Sequence, residues 1–139
     1  MTRSQRLQRI VKLADTAREV AASKLRESDA ELSQHRRQLD ELRQFRAEYA
    51  DRTRHGGAPL TAASLQHQRR FIEQLDSAIS LLETRLTEVS QVRERQQQSW
   101  LAERRRVEAL GNVQRRAERS EALDDERRSQ NDIDDRGPR

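Results

Sequence analysis

The stretch RHGGAPLT, residues 54–61, separates two long segments that contain almost no residue unfavourable to a helix. Residues 1–53 include neither Gly nor Pro, and residues 61–128 include only Gly111. Glycine and proline are the residues that most often end helices. The sequence therefore predicts two long helices joined by one short turn. Helices connected in this way must fold back on each other.

The residues of the turn fit that geometry. Gly56 and Gly57 can adopt positive φ at little cost and so end the first helix. Pro59 blocks continuation of that helix, and Thr61 suits the N-cap of the next one. We expect helix 1 over about residues 4–54, a loop over 55–60 and helix 2 over about 61–128. Residues 1–128 form one helical hairpin in this interpretation.

The composition is too polar for a thick globular core. Of the 139 residues, 37% are charged, 32% are hydrophobic and 3% are aromatic. A coiled coil needs apolar residues at only two positions in seven, so its thin seam can be filled by this sequence. There is no Cys, no apolar run of membrane-spanning length, and no signal-like stretch in residues 1–12. We expect a cytosolic protein.

Apolar residues recur at heptad spacing in both segments, and this periodicity argues against disorder. The first segment has one set of seam positions at Val11, Arg18, Leu25, Leu32, Leu39 and Arg46, and a companion set at Leu7, Ala14, Ala21, Ser28, His35, Leu42 and Tyr49. The second has Leu65, Ile72, Ile79, Leu86, Arg93, Trp100, Val107 and Gln114, with Gln68, Leu75, Leu82, Val89, Gln96, Glu103, Leu110 and Ala117. The predicted fold class is all-α, an antiparallel two-helix coiled coil.

The position of the turn predicts a register. If the loop is centred near residue 57, the numbers of facing residues add up to about 114. Leu39 then meets Leu75, and Ala14 meets Trp100, which would put a small residue opposite the only Trp. The polar residues at seam positions could fix this register at a cost in stability, or make the coiled coil bendable.

The second helix is expected to be longer than the first. Its end would place Leu110, Val113, Ala117 and Leu123 beyond their intramolecular partner. An unpaired apolar stripe of this kind either awaits another surface or frays. Residues 129–139 have no periodicity, and we expect a disordered tail there.

The sequence offers little that could support catalysis. A two-helix coiled coil has no interior in which a carboxylate could be enclosed, the glycines form no phosphate-binding loop, and the three histidines show no metal-site spacing. No enzyme activity, metal, cofactor or small-molecule substrate is expected. The net charge of +4 and the pI near 10.5 raise nucleic acid as a partner. However, the acidic residues are interleaved with the basic ones and only Trp100 could stack on bases nearby, so nucleic acid is not the expected partner.

Two groups of surface residues stand out. The group near the turn holds both Phe residues and the only Tyr; it comprises Gln38, Leu42, Phe45, Tyr49, Phe71, Leu75 and Ala78. Phe45 and Phe71 lie one position off the seam, so we expect them to flank it and stay partly exposed. They could bind a partner or simply thicken the packing. The second group is the arginine cluster, Arg104, Arg105, Arg106, Arg115, Arg116 and Arg119, which could dock an acidic protein ring or nucleic acid, or be a solvated surface.

These elements together resemble one protein family. The matching residues run from Leu7, Ile10, Val11, Leu13, Ala14, Ala21, Ala22 and Leu25 through Leu39, Leu42, Phe45 and Tyr49 to Phe71, Leu75, Ile79, Trp100, Arg104, Arg105, Ala109, Leu110, Arg115 and Arg116. Over roughly residues 3–128 the chain is similar to the flagellar FliJ family. That resemblance implies a cytoplasmic component of the flagellar type III protein export apparatus, located at the inner membrane at the flagellar base. It also implies a coiled coil similar to the central stalk (gamma) subunit of rotary ATP synthases.

The resemblance further implies partners and contact residues. The end carrying both termini would enter the hexameric export ATPase, through Leu13, Ala17, Arg104, Arg105, Leu110, Arg115 and Arg116. The face near the turn would contact the membrane export gate through Gln38, Leu42, Phe45, Tyr49, Phe71, Leu75 and Ala78. Export chaperones would be further partners. Phe45 departs from the Tyr that is common in the family, and Leu82 stands where some members have a polar residue. A structural scaffold and a basic nucleic-acid-binding protein are the alternatives.

Overall fold

The computed structural model describes residues 1–56 and 61–137. They form two helices, α1 over Arg3–His55 and α2 over Ala62–Asp135. These helices pack against each other as an antiparallel hairpin, and the described ranges contain no strand. The predicted all-α fold class is confirmed. The predicted turn residues Gly57 and Pro59 lie outside the described ranges.

Both helices begin with a side-chain cap. The Gln5 amide donates to Thr2 Oγ1 at 3.2 Å while the Thr2 amide donates to Gln5 Oε1 at 3.0 Å, which is a reciprocal capping box. At α2, the Ser64 amide donates to Thr61 Oγ1 at 3.1 Å. Thr61 is therefore the N-cap, as predicted.

The helix ends differ from the expectation in two details. Gly56 follows α1 without positive φ; instead, a Cβ there would lie 2.9 Å from the Arg52 carbonyl oxygen. Glycine is thus needed at residue 56 for space rather than for a left-handed backbone. In addition, α2 continues past Arg128 to Asp135, through a stretch expected to be an aperiodic tail. No Gly or Pro interrupts that stretch before Gly137.

The predicted seam is confirmed by burial. Of the 29 seam positions that the heptad pattern selects, only Leu65 is exposed. Leu39 is the most deeply buried, at 2% exposure. The remaining buried seam residues are Ala14, Ala21, Ser28, Leu32, Leu75, Val89 and Ala117.

The chain divides into two compact units, which are described separately. The loop unit comprises residues 24–97, and the terminal unit comprises residues 1–23 and 98–139. Each unit contains one segment of α1 packed antiparallel to one segment of α2.

Contacts across the loop unit define its register. Asp29 accepts from Arg93 at 2.7 Å, Arg43 donates to Glu83 at 3.0 Å, and the rings of Phe45 and Phe71 are in contact. The residue numbers of these pairs add up to values from 116 for the two Phe to 126 for Arg43 and Glu83. Facing seam residues therefore add up to about 121, because flanking pairs lie a few residues to either side of that value.

The predicted register, in which the numbers of facing residues add up to about 114, is wrong by one heptad. A slip of seven residues keeps every seam position in the seam, so the heptad pattern fits both registers equally well. By the helical rise of about 1.5 Å per residue, the shift moves the partner by about 10 Å. Leu39 is level with Leu82 rather than Leu75, and Trp100 is level with Ala21 rather than Ala14.

The same shift corrects the predicted overhang. In the terminal unit, Ala117 is buried and Leu110 is half-buried. The Ser4 amide and hydroxyl both donate to Glu121, so α1 reaches that far along α2. Leu110 and Ala117 are therefore not beyond their partner. Val113 is partly exposed beside α1, and of the four residues only Leu123 lies past its beginning.

Residues 122–137, which we call the acidic extension, are exposed throughout. In the parts of the chain that the structure describes, no helix is both apolar enough and long enough to cross a bilayer.

Candidate interaction surfaces

An aromatic cluster lies on one flank of the seam in the loop unit. It consists of Phe45, Tyr49 and Phe71. The Phe71 ring lies 4.6 Å from the Tyr49 ring, tilted by 59°, and 6.3 Å from the Phe45 ring in an edge-to-face arrangement at 80°. Such geometries are favourable for aromatic pairs. Phe45 remains 41% exposed and Phe71 is half-buried, so the predicted flanking position and partial exposure are confirmed.

The other residues expected at this surface differ in accessibility. Gln38 is exposed, Leu42 and Ala78 are half-buried, and Leu75 is buried. All belong to the loop unit. Leu75 can support the cluster from the seam, whereas Gln38 and Phe45 offer accessible surface. A partner would meet an aromatic edge bordered by small and polar side chains.

Ion pairs join the two helices of the loop unit at seam and seam-flanking positions. Arg46 and Asp76 hydrogen-bond to each other, which lowers the pKa of the Asp76 carboxyl and raises the pKa of the Arg46 guanidinium. Arg43 and Glu83 pair at 3.0 Å. Sequence reasoning missed these pairs because they depend on the register. The signal was the opposite charge of residues in or beside the seam on the two helices.

A carboxylate from α2 caps the beginning of α1 in the terminal unit. The Ser4 backbone amide donates to Glu121 Oε1 at 3.0 Å and the Ser4 hydroxyl donates to Oε2 at 2.6 Å. The Ser4 hydroxyl and then its amide lower the pKa of Glu121. Because the first amides of a helix lack intrahelical partners, a carboxylate is favoured here. Sequence reasoning missed this contact as well.

The arginine cluster of the terminal unit is accessible. Its six residues, Arg104, Arg105, Arg106, Arg115, Arg116 and Arg119, are all exposed. The Arg104 guanidinium lies over the Trp100 ring, 5.6 Å from its centroid, as in a cation–π contact. Arg115 hydrogen-bonds to Asn112, and its Nη1 atom lies 3.4 Å from where a Cβ at residue 111 would be. A Cβ at residue 111 would make only an ordinary contact with the Arg115 side chain, so space does not require glycine there.

A second row of apolar residues runs along α1 in the terminal unit, outside the seam. This apolar stripe consists of Ile10, Leu13, Ala17 and Val20, spaced i, i+3, i+7 and i+10. Ala17 is half-buried, Ile10 and Val20 are exposed, and Leu13 is 72% exposed. Leu13 and Ala17 were predicted as contact residues, whereas Ile10 and Val20 were not. The signal was a second heptad repeat offset from the seam.

The described surface has several depressions. One in the terminal unit is lined by Arg3, Val113, Arg116, Ala117 and Ser120. Within the described ranges, no group of three or more His, Cys, Asp or Glu side chains could hold a metal ion. Convex helical faces with exposed apolar and cationic side chains are suited to protein partners.

Comparison with known families gives one result. The family model described as "Flagellar FliJ protein" matches residues 3–137, nearly the whole chain. Comparisons with curated proteins and with solved structures give no match.

Proposed function

The chain belongs to the flagellar FliJ family and is a flagellar export-related component, and we propose that it acts as a non-catalytic stalk within the export apparatus. In this proposal it binds the hexameric export ATPase through the terminal unit and the membrane export gate through the loop unit. It works in the cytoplasm, at the inner membrane, and escorts export chaperones. The chaperone and location proposals rest on family membership alone.

The apolar stripe is the observation that carries the ATPase proposal. Leu13 is 72% exposed on a helix whose seam is already filled by Ala14 and Ala21. Its exposure therefore serves no packing within the described chain. Contiguous exposed apolar residues mark interaction sites more often than single ones do. A ring that surrounds two helices would cover the stripe.

Basic residues of the terminal unit add a second candidate contact on α2. Arg104, Arg105, Arg115 and Arg116 are exposed in the same unit, and Leu110 is half-buried beside them. Guanidinium groups can bind carboxylates in bidentate fashion, which gives direction to an otherwise apolar contact. We propose that these arginines face acidic groups of the ATPase.

The gate proposal rests on the aromatic cluster. Phe45 and Tyr49 both contact Phe71, so the three rings form a preorganised surface rather than separate mobile side chains. Preorganised aromatic residues are frequent binding hot spots. We propose that Phe45 and Gln38 make direct contact, supported by Leu75 from the seam.

A matched pair of variants tests the ATPase proposal. Leu13→Asp is expected to weaken binding to the export ATPase by at least about tenfold, because it places a charge in the covered apolar surface. Leu81→Asp is the control, since Leu81 is 71% exposed in the loop unit. Binding is measured by calorimetry with both proteins folded. Equal affinities of the two variants would reject the assignment of the stripe.

The gate proposal has its own matched pair. Phe45→Ala is expected to weaken binding to the cytoplasmic part of the export gate, whereas Leu65→Ala, at a residue 42% exposed in the same unit, is not. ATPase binding should be unchanged in both variants. If Phe45→Ala impaired both interactions equally, the cluster would be a packing element instead of a contact.

A further inference from the structure

The end of α2 carries negative charge, which is unfavourable at the C-terminus of a helix. The last turn contains no basic residue, but it contains Asp132, Asp134 and Asp135. A helix C-terminus has a partial negative charge, so these carboxylates destabilise it. Over residues 122–137 there are six acidic residues and three basic ones. A cationic partner would relieve this repulsion.

The beginning of α1 carries positive charge, which is unfavourable at the N-terminus of a helix. Its first turn contains no acidic residue, and Arg3, Arg6, Arg9 and Lys12 precede the first acidic residue, Asp15. A helix N-terminus has a partial positive charge, which disfavours these cations. Glu121 supplies one compensating carboxylate. Further acidic groups would be favourable there.

The apolar residues of the two segments also correspond. Ile10 and Val20, at the ends of the apolar stripe, are ten residues apart, and so are Leu123 and Ile133 in the acidic extension. All four are exposed. Ten residues of helix span about 15 Å in either segment. When the segments run antiparallel, Ile133 meets Ile10, Leu123 meets Val20, and the terminal carboxylates lie near the basic start of α1.

We propose that the acidic extension of one copy docks antiparallel on the apolar stripe of a second copy. Most charges near the end of the extension favour this alignment: with Ile133 level with Ile10, Asp134 is level with Arg9 and Arg128 with Asp15, and the one like-charge pair, Asp124 with Glu19, lies at the far end. The extension cannot reach the stripe of its own chain. It continues α2 as an unbroken helix past Ser4, so it leads away from the rest of α1.

This contact is heterologous, because the stripe and the extension are different surfaces. Each copy in a pair therefore keeps one surface free, and association continues beyond the dimer as concentration rises. The interface is small and its apolar contacts are flanked by exposed charge pairs, so it weakens with salt.

The docking also covers Leu13 and Ala17. This consequence alone rests on the proposed ATPase contact. If that contact is correct, the same stripe cannot bind a second copy and the ATPase at once, so self-association and ATPase binding exclude each other. The free protein would then hold its apolar stripe covered until the ATPase displaces the second copy.

Sedimentation equilibrium of the full chain tests the proposal without any partner. At about 0.01 M ionic strength, where charges interact over about 30 Å, the average mass should rise with concentration beyond that of a monomer. At about 0.15 M salt the association constant should fall several-fold. A monomeric mass at all concentrations would overturn the proposal, whatever the chain does with the ATPase.

Charge reversal locates the contact. The variant Asp132→Arg, Asp134→Arg, Asp135→Arg is expected to associate at least about tenfold more weakly. The control, Asp40→Arg, Glu41→Arg, Glu73→Arg, makes the same change in charge at exposed residues of the loop unit and should associate as the unmodified chain does. Equal effects of the two variants would overturn the proposed site.

Reversing the charges at the start of α1 as well tests whether two charge-reversed variants restore the association together. Arg6→Glu, Arg9→Glu, Lys12→Glu should also lose self-association, yet a mixture of this variant with the reversed extension should associate again. Circular dichroism confirms that each variant is helical. A helical mixture that stays monomeric would contradict the proposed pairing.

Discussion

The loop unit and the terminal unit use the same seam positions with side chains of different size. In the loop unit the buried seam includes Leu32, Leu39 and Leu75, whereas in the terminal unit it includes Ala14 and Ala21. Larger buried side chains contribute more to stability, roughly in proportion to the apolar area removed from water. The terminal unit also exposes a row of apolar residues outside its seam, the apolar stripe, in which Leu13 is 72% exposed. The two units therefore differ in the size of the side chains buried in the seam and in the apolar residues exposed beside it.

The largest expected effect is in the loop unit. Leu39→Ala should lower the free energy of unfolding by about 2–5 kcal/mol, because it removes the most buried large side chain of the seam. Leu81→Ala should change it by less than about 0.5 kcal/mol, since Leu81 is exposed. Chemical denaturation followed by circular dichroism measures both. Similar losses would mean that the seam does not stabilise this unit.

A gain in stability is expected from the terminal unit. Glu103 Oε2 is buried at a seam position with no hydrogen-bond partner. Glu103→Leu should raise the free energy of unfolding by about 1–3 kcal/mol, because an unsatisfied buried acceptor is replaced by an apolar group. The difference in seam stability between the two units would then become smaller. A lower melting temperature in this variant would show that the carboxylate has a partner in solution.

Loss of the α2 cap should have a smaller effect. Thr61→Ala removes the acceptor of the Ser64 amide and should cost about 1 kcal/mol. Thr61→Ser, which retains the hydroxyl, is the control. Thermal denaturation distinguishes them, and equal melting temperatures for Ala and Ser would show that the cap contributes nothing.

The smallest effect is local and depends on pH. The pKa of Glu121 is lowered by the two hydrogen bonds from Ser4, so the folded terminal unit binds this proton less readily than the unfolded chain. The contact therefore stabilises the unit above the usual glutamate pKa and is lost as the pH falls through the lowered value. The protection factor of the Ser4 amide, which compares its exchange rate with that of an unfolded chain at the same pH, should fall on acidification in the unmodified chain. Glu121→Gln should remove that pH dependence; if it persists, another group is responsible.

The fold and the seam could be predicted because both depend on local signals. Heptad spacing selects the seam, and Thr61 alone marks the start of α2. The offset of Phe45 and Phe71 from the seam was enough to predict their partial exposure. Each of these inferences needs only the period of one helix and the chemistry of its own residues.

The register could not be predicted, since moving one helix by a heptad keeps the same residues in the seam and changes only which of them face each other. Predictions that depended on the position of the facing helix were wrong because the register was wrong. Ala117 was expected to be unpaired but is buried, and the Ser4–Glu121 contact was missed. A pattern repeated every seven residues does not contain the information that distinguishes one repeat from the next.

Disulfide trapping tests the register most directly, and the chain has no cysteine of its own to interfere. In the observed register Ser4 is level with Ala117, whereas in the register one heptad away it is level with Leu110. Ser4→Cys with Ala117→Cys should form an intramolecular disulfide under mild oxidation, and Ser4→Cys with Leu110→Cys should not. Cross-linking of the second pair instead of the first, or bonds formed only between chains, would contradict the hairpin described here.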